Sequence, residues 1–309
     1  MARPNFFIVG APKCGTSAMT HFLRQHPDVA VGAKENYYFG SDLGFGPDVR
    51  PQTEREYLAR VRAPADRKRI GECSVFYLHS SRAAREIKEF EPDARIIAMI
   101  RNPVDFIHSL HSQLVFVESE DITDFEAALA ADADRLAGRR LPRNPVISRS
   151  GYRATARFSE QLQRYFDAFG RERVQTIVQD DLQADPVATF ASACEFLEVD
   201  PQVRPAFETV NGNKRARSRL LQRTIQHPPP LVRAAARALP TQAIRRNVVL
   251  TARRLNTSYE PRPPMPDALR RELNEEFAPE VEQLGRLLGR DLSAWSRGER
   301  LSAAAPPPG

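Results

Sequence analysis

The stretch on which the fold depends is Phe6-Phe-Ile-Val-Gly-Ala-Pro-Lys-Cys-Gly-Thr-Ser17. Its first four residues are apolar and predict a buried strand. A helix is predicted from Thr16 to His26, because the residue before Pro27 avoids helical angles. The loop 10–15 sets backbone N–H groups at a helix N-terminus, where unpaired amides and the helix dipole bind anions. The stretch therefore predicts a strand, a phosphate-binding loop and a helix.

The position of the lysine separates this loop from that of nucleoside-triphosphate kinases. A kinase loop carries lysine directly after its second glycine, where this chain has Thr16. Here Lys13 lies inside the loop, two residues before Gly15. A kinase would therefore lack the side chain that holds its β- and γ-phosphates. The pair Asp180-Asp181 gives partial support for a magnesium site, and a kinase stays an alternative.

Strands and helices alternate beyond this loop. Apolar runs predict strands, and periodicity or capping residues predict helices; the strands are 29–31, 70–72, 95–100 and 174–178, and the helices 81–90, from 103, 152–169, 186–197 and 266–288. This order predicts an α/β fold, a single P-loop-type domain over 1–300 with a mostly parallel central sheet flanked by helices.

Within that domain, the sequence predicts a nucleotide-binding core at about 5–219 and a basic covering segment at about 211–264. The helix at 266–288 closes the domain. The tail 301–309, rich in alanine and proline, is predicted to be disordered.

Composition limits the class of protein. The net charge is +6 and the pI about 9.5, which permits nucleic acid or an anionic small molecule as partner without choosing between them. No run approaches the ~20 apolar residues of a membrane span, and residues 6–9 are too short for the core of a signal peptide. Three widely spaced cysteines show no metal-ligand spacing. We therefore expect a cytoplasmic protein with no metal and no stable membrane insertion.

A second anion site is predicted at Arg101, which ends the strand 95–100. Asn102 is a helix N-cap followed by Pro103, and Ser109 lies seven residues, about two turns, beyond the cap on the same face. An arginine fork with a hydroxyl suits a dianionic phosphate. Two separate anion sites favour one ligand with two separated phosphates over a triphosphate.

The loop Pro12-Lys-x-Gly-Thr-Ser17 and the segment Arg101-Asn-Pro-x5-Ser109 resemble the two phosphate signatures of sulfotransferases that use 3′-phosphoadenosine 5′-phosphosulfate (PAPS). The resemblance covers most of residues 5–219 in order. It implies that PAPS is the sulfuryl donor and that Lys13 neutralises the leaving phosphate. The implied cofactor-binding residues are Lys13, Cys14, Gly15, Thr16, Ser17, Arg101, Ser109 and, in a late basic loop, Lys214 and Arg215.

The segment Lys34-Glu-Asn-Tyr-Tyr-Phe39 is similar to the Lys-Glu-x-x-x-Phe segment of the heparan-sulfate type of these enzymes and their bacterial relatives. The resemblance implies that Glu35 is the catalytic base, with Lys34 and Tyr37 beside the acceptor. His108 is a second catalytic candidate and His111 a rival base, because both lie on the helix that carries Ser109.

One segment departs from the family pattern. Gly71-Glu-Cys-Ser-Val-Phe-Tyr77 resembles the family's Glu-Lys-x-Pro-x-Tyr, with Cys73 in place of the lysine and Val75 in place of the proline. In related glycan-sulfating enzymes that lysine lies near the transferred group. The departure leaves the acceptor open among glycan, lipid, phenol and other metabolites.

The expected reaction is in-line attack of an acceptor oxygen or nitrogen on the sulfur of PAPS, assisted mainly by proximity and charge stabilisation. The partner is then a small-molecule, glycan or lipid acceptor and not nucleic acid. A non-enzymatic nucleic-acid binder is a further alternative that rests on charge alone, because the arginines lack interleaved aromatic residues. The sequence gives no indication of the oligomeric state.

Overall fold

The computed structural model describes residues 3–62, 64, 66–207, 214–226, 228–229, 232, 241–260 and 262–301. Five strands in these ranges form a sheet: β1 (Phe6–Gly10), β2 (Val29–Lys34), β3 (Arg69–Cys73), β4 (Arg95–Ile100) and β5 (Val174–Val178). Their order is β2-β3-β1-β4-β5, and every neighbouring pair is parallel. The predicted α/β fold with a mostly parallel central sheet is confirmed. β1 is buried along its whole length and continuously apolar up to Gly10, as expected of a strand covered on both faces.

Helices occupy most of the remaining chain. They are α1 (Thr16–Leu23), α2 (Glu54–Val61), α3 (Ala83–Phe90), α4 (Pro103–Phe116), α5 (Phe125–Ala130), α6 (Asp132–Leu136), α7 (Pro145–Thr155), α8 (Phe158–Phe169), α9 (Gln179–Ala184), α10 (Pro186–Phe196), α11 (Arg219–Gln226), α12 (Gln242–Asn256), α13 (Asp267–Leu288) and α14 (Ser293–Ser296). Two short strands, β6 (Lys214–Ala216) and β7 (Thr257–Tyr259), pair antiparallel. Among the described residues, no helix is both long and apolar enough to cross a bilayer.

The predicted helix 152–169 is wrong, because the structure has two helices there. α7 ends at Thr155 and α8 begins at Phe158, and Arg157 between them has non-helical angles (φ −79°, ψ 70°). Inside α7, Gly151 has φ +70°, and a Cβ there would lie 2.5 Å from the Asp132 carboxyl carbon. The positive φ and the nearby Asp132 carboxyl group thus leave no room for a side chain at position 151. Apolar residues on both helices continue the same period, which concealed the break.

Two other boundaries differ from prediction. β2 continues to Lys34 instead of ending at residue 31, because Lys34 pairs with Cys73 of β3 after a shift in register. α1 ends at Leu23, before the predicted end at His26, and turns connect it to Pro27. The extension of β2 depends on pairing with a neighbouring strand, which local patterns do not show.

The chain forms two compact units. The first consists of Met1–Ile107, Tyr152–Val210 and Pro266–Gly309, and contains the parallel sheet. The second consists of His108–Gly151 and Asn211–Met265. Inside the second unit, Arg135 and Glu120 form an ion pair whose side chains are both fully buried (Nη2–Oε2 2.8 Å), so each neutralises a charge that would otherwise be costly to bury.

β1 lies between β3 and β4, where the chain changes from one side of the sheet to the other. Ligands of open α/β sheets bind outside the carboxyl ends of the strands at such a place. Here the phosphate loop follows β1, Arg101 follows β4 and Glu35 follows β2. Backbone hydrogen bonds from Ala11 N to the Met99 carbonyl (2.6 Å) and from Glu35 N to the Cys73 carbonyl (2.8 Å) hold two of these loops against neighbouring strands.

We predict that Gly71→Ala destabilises the sheet. Gly71 lies on β3 beside the buried Phe6 ring, and a Cβ there would lie 2.2 Å from the ring carbon Cζ. Relieving this overlap should lower the free energy of unfolding by roughly 1–3 kcal/mol, measured by urea denaturation. Gly46→Ala is the control, because a Cβ at Gly46 meets nothing within 4 Å. Equal stability of both variants would contradict the packing seen here.

Candidate functional site

The phosphate loop leaves β1 and turns into α1 through left-handed backbone. Gly15, the residue before α1, has φ +92°, and a Cβ there would lie 2.7 Å from Leu182 Cδ2. Glycine is therefore required for both conformation and space. α1 has no side-chain cap at Gly15 and no acidic residue in its first turn, so the amides of Thr16 and Ser17 are presented as donors for an anion.

Within the loop, Lys13 also has left-handed backbone (φ 63°). Cys14 is fully buried; its amide donates to the Ala11 carbonyl (3.4 Å), and its thiol lies 3.5 Å from the Pro12 carbonyl. Burial raises the pKa of the Cys14 thiol to about 12. The thiol therefore stays neutral, and Lys13 is the residue of this loop that carries a positive charge.

Arg101 lies beside the phosphate loop. Its Nη1 donates to the Lys13 carbonyl (3.3 Å), and its Nη2 lies 3.7 Å from Asp105 Oδ2. Asp105 in turn accepts from Arg270 Nη1 (3.1 Å). Asp105 and Arg270 were not predicted from the sequence, since their roles depend on a pairing across 165 residues. The pair holds Arg101 at the carboxyl end of the sheet, as predicted for an anion site.

Asn102 caps α4 as predicted. Its Oδ1 accepts from Val104 N (2.8 Å) and Asp105 N (3.3 Å). Its Nδ2 donates to the Trp295 carbonyl (3.1 Å), so the same side chain also binds the C-terminal region.

Ser109 lies in the second unit. It is buried, and its Oγ accepts from Arg262 Nη2 (2.9 Å). Arg262 was missed in the sequence, because it is one arginine among many in a basic segment. Lys214 and Arg215 belong to β6, of which the backbone alone is described, and 211–213 lie outside the described residues.

Lys34 and Glu35 follow one another at the end of β2. The Lys34 ammonium donates to Ser17 Oγ (2.9 Å), which joins the predicted base segment to the first turn of α1. Glu35 Oε2 accepts from the Tyr37 hydroxyl and from Val75 N (3.3 Å). These contacts bring three predicted residues of the first unit, Lys34, Glu35 and Ser17, to one edge of the sheet.

The conformation of this segment is unusual for its residue types. Glu35 has φ +61° and Tyr37 φ +51°, both in the left-handed region that non-glycine residues seldom adopt. The Tyr37 ring stacks on Phe45 (4.0 Å between centroids) and meets Tyr77 edge-on (6.1 Å). This packing aims the Tyr37 hydroxyl at the Glu35 carboxylate. Strained backbone of this kind is concentrated at functional sites.

Burial raises the pKa of Glu35 above its ordinary value, while the Tyr37 hydroxyl and the nearby Lys34 ammonium partly oppose that shift. A carboxylate with a raised pKa is a stronger proton acceptor once ionised. The arrangement can therefore take a proton from a group placed beside Glu35.

A second carboxyl group lies near Glu35. Glu72 is fully buried on β3 and accepts from the Ser74 hydroxyl, and Ser74 Oγ accepts from Tyr37 N (3.2 Å). Burial raises the pKa of Glu72 to about 8; the Ser74 hydrogen bond opposes the shift, and the charge of Glu35 adds to it. Glu72 is therefore mostly protonated at neutral pH. No role was predicted for Glu72, although a carboxyl group inside a strand is a signal that could have identified it.

The two histidine candidates lie in the second unit. The His108 ring packs against Phe125 (4.8 Å between centroids), and His111 Nε2 lies 2.8 Å from the Ile122 carbonyl. Burial lowers the pKa of His111, which favours its neutral form. These contacts show that both histidine side chains are packed inside the second unit.

Asp180 and Asp181, the aspartates that gave partial support for a kinase, form hydrogen bonds with residues of the C-terminal region. Asp181 binds both terminal nitrogens of Arg290, and Asp180 Oδ2 accepts from Trp295 Nε1 (2.9 Å) and Leu301 N (3.0 Å). In the described part of the chain, no group of three or more histidine, cysteine, aspartate or glutamate residues could hold a metal ion. The kinase alternative thus loses its partial support.

Comparison with known proteins gives the family. A family profile described as "Sulfotransferase domain" matches residues 3–218. Over nearly its whole length the chain is similar to a solved sulfotransferase from Alicyclobacillus acidocaldarius, with 30% identity, a TM-score of 0.70, and coverage of 96% of this chain and 99% of that one. The chain therefore belongs to the sulfotransferase family, and it is an enzyme of the sulfuryl-transferring type.

Curated relatives match over shorter stretches. The mouse heparan sulfate glucosamine 3-O-sulfotransferase 3B1 is 29% identical over 128 residues, which cover 40% of this chain and 30% of that protein. The membrane-associated sulfotransferase kil1 of Dictyostelium discoideum is 29% identical over 103 residues, covering 33% and 21%. This chain thus matches less than a third of the length of either relative.

The buried carboxyl group predicts a pH effect on stability. The pKa of Glu72 is about 8 in the folded protein, against an ordinary value of 4.5, so between these values the folded state binds more protons than the unfolded state. Stability should fall as the pH rises from 5 to 8, by up to roughly 1.4 kcal/mol per pH unit. Glu72→Gln should reduce that slope in urea denaturation at pH 5, 6.5 and 8.

The matched control for this effect is Glu89→Gln, which changes a carboxylate of which 68% is exposed. It should leave the slope of the wild type unchanged. Parallel stability curves for the wild type and Glu72→Gln would show that Glu72 is ionised in the fold.

Proposed function

We propose that this sulfotransferase transfers the sulfuryl group of PAPS to a hydroxyl or amine of a small-molecule, glycan or lipid acceptor. The acceptor oxygen or nitrogen forms a bond to sulfur, and the bond from sulfur to the 5′-phosphate oxygen breaks. Adenosine 3′,5′-bisphosphate leaves with that electron pair, and the acceptor proton goes to Glu35. Donor and acceptor together supply all the atoms, so no metal or oxidant is needed.

The contact between Lys34 and Ser17 is the observation that carries this proposal. It joins the segment of the proposed base to the first turn of the proposed 5′-phosphate loop at a distance of 2.9 Å. Arg101, on the other side of the loop, donates to the Lys13 carbonyl (3.3 Å). A base and two cationic side chains thus lie around one loop, as in-line transfer from an anionic donor requires.

The phosphate loop fits the 5′ end of such a donor. The amides of Thr16 and Ser17 begin α1 without a side-chain cap, directly after Gly15, whose left-handed backbone turns the loop into the helix. Lys13 would stabilise the negative charge that grows on the leaving phosphate. Cys14 contributes backbone to the loop, because its thiol is buried and neutral.

Glu35 is the proposed general base. Burial raises its pKa, and Tyr37 and Val75 N hold its carboxylate by hydrogen bonds to a single oxygen, Oε2. Lys34 and Tyr37 are the proposed acceptor-side neighbours. His108 is the lesser candidate, because its ring is buried against Phe125.

Arg101 is proposed to bind the 3′-phosphate with its planar fork of donors. Ser109, Lys214 and Arg215 keep, as predictions, the cofactor-binding roles that the family resemblance implies. Each is tested in the same way, by the strength with which its variant binds the bisphosphate product.

We predict that adenosine 3′,5′-bisphosphate raises the melting temperature of the protein more than ATP does, because binding to the folded state stabilises it by mass action. Lys13→Ala should weaken bisphosphate binding roughly 10–100-fold, as expected for loss of a charge-assisted contact. Lys88→Ala, which removes an ammonium on α3, is the control. A larger shift with ATP would contradict the proposed donor.

Glu35→Gln should separate binding from chemistry. It should keep the melting-temperature shift with the bisphosphate but lower kcat about 10²–10⁴-fold, since the amide cannot accept the acceptor proton. If Glu35→Gln turns over an acceptor at the wild-type rate, Glu35 is not the base. His108→Ala would then be the next variant to assay.

Tyr37→Phe should move the acidic limb of the rate profile. The Tyr37 hydroxyl lowers the pKa of Glu35 by donating to its ionised form, so removing it should raise that pKa. The pH at which kcat/KM reaches half its plateau should therefore rise. Tyr38→Phe is the control, because that ring stacks on Tyr57 (4.6 Å). An unchanged acidic midpoint would show that Tyr37 does not tune the base.

A further inference from the structure

The charge of this chain is divided very unevenly along its sequence. Residues 209–259, here called the acid-free segment, contain 11 of the 45 basic residues and none of the 39 acidic ones. The segment therefore carries +11, and the rest of the chain carries −5. The net positive charge of the protein therefore comes entirely from this segment. A partner that binds the segment through its charge must be anionic.

The ends of this segment are anchored to each other inside the second unit. β6 pairs with β7, and Asn256 Nδ2 donates to Gln222 Oε1 (3.1 Å) and to the Ser218 carbonyl (3.1 Å). Gln222 Nε2 in turn donates to the Phe116 carbonyl (2.7 Å). Gln222 and Asn256, 34 residues apart in sequence, are thus joined to each other and to Phe116.

Between these anchors, α11 and α12 expose aliphatic side chains. Leu220 is 81% exposed and Leu255 65%, and the five consecutive residues 247–251 are all exposed. Five residues exceed one helical turn, so α12 has no buried face at that point. The aliphatic residues exposed on the two helices are Leu220, Leu221, Val248, Val249, Leu250 and Leu255.

Exposed arginines lie among these aliphatic residues. Arg223 on α11 and Arg254 on α12 are both exposed, as is Arg217 just before α11. Arginine with leucine and valine on exposed helices is the composition of helices that bind at an anionic membrane surface, with the apolar side chains in the headgroup region. A nucleic acid would match the charge but would leave the aliphatic side chains in water.

A second copy of the chain fits this surface less well than a membrane does. Two acid-free segments facing each other would bring +11 against +11, which opposes a symmetric contact. Docking at a bilayer surface needs no spanning helix, because the apolar side chains enter only the interface.

We propose that the acid-free segment docks this enzyme on an anionic lipid bilayer through the exposed aliphatic and arginine side chains of α11 and α12. The docking is independent of sulfuryl transfer, since it needs neither donor nor acceptor. Its role is to hold the enzyme at a membrane.

Co-sedimentation of the full chain with vesicles tests this. Vesicles of phosphatidylcholine with phosphatidylglycerol should bind the protein, and binding should weaken with added salt, whereas vesicles of phosphatidylcholine alone should bind it much less. Two variants separate the two contributions. Arg223→Gln with Arg254→Gln should weaken binding roughly 30-fold. Leu220→Ser with Val249→Ser and Leu250→Ser should weaken it at least about tenfold.

Matched controls come from the exposed stretch 136–141 of the same unit. Leu136→Ser with Leu141→Ser, and Arg139→Gln with Arg140→Gln, change the same residue types and should leave vesicle binding unaltered. Thermal melting of every variant shows that it is folded, since all these positions are exposed.

Three results would overturn the proposal. One is equal binding to neutral and anionic vesicles, or binding to neither. Another is stronger binding to a single-stranded oligonucleotide that the arginine variant alone weakens, which would make the partner a nucleic acid. The third is a dimer that the aliphatic substitutions convert to a monomer, which would make the occupant a second copy of the chain.

Discussion

The hydrogen bond from the Arg101 guanidinium to the Lys13 carbonyl is the interaction on which the site depends. It links the end of β4 to the loop that follows β1, next to the backbone bond between Ala11 and Met99. Both loops leave the carboxyl edge of a buried parallel sheet, which gives them a rigid base. Asp105 and Arg270 hold the guanidinium from the other side. Because side chains on a rigid base lose little freedom when a ligand binds, the loop is preorganised for an anion.

Much of the fold could be predicted because its signals are local. The apolar runs of β1 and β4 and the cap at Asn102 depend on a few neighbouring residues, and the structure has each of them where the sequence predicts it. The break between α7 and α8 was not predicted, because the residues around Arg157 include no glycine or proline and so carry no local helix-breaking signal. The extension of β2 depends on pairing with β3 after a register shift.

The candidate site likewise contains residues that could be predicted from local sequence and residues that could not. Lys13, Lys34, Glu35 and Arg101 were predicted because each lies at a strand end or inside a loop with a recognisable pattern. Their supporting partners were not, because Asp105 binds Arg270 and Ser109 binds Arg262 across more than 150 residues of sequence. Pairings at such separations follow from packing alone. The sequence therefore identifies candidate ligand-binding residues better than it identifies the residues that would position them.

The buried side chains of Glu72 and Cys73 bear on the position at which the family pattern that this chain resembles has lysine. Burial raises the pKa of Cys73 to about 12 and that of Glu72 to about 8, so both groups are neutral near pH 7. A lysine at position 73 would favour ionised Glu72, and two ionised carboxylates near each other would oppose one another. Burial raises the pKa of Glu35, and the Tyr37 hydroxyl and the Lys34 ammonium oppose that shift by favouring its charged form. A neutral Cys73 beside a protonated Glu72 thus gives the same local net charge as a lysine beside an ionised Glu72 would.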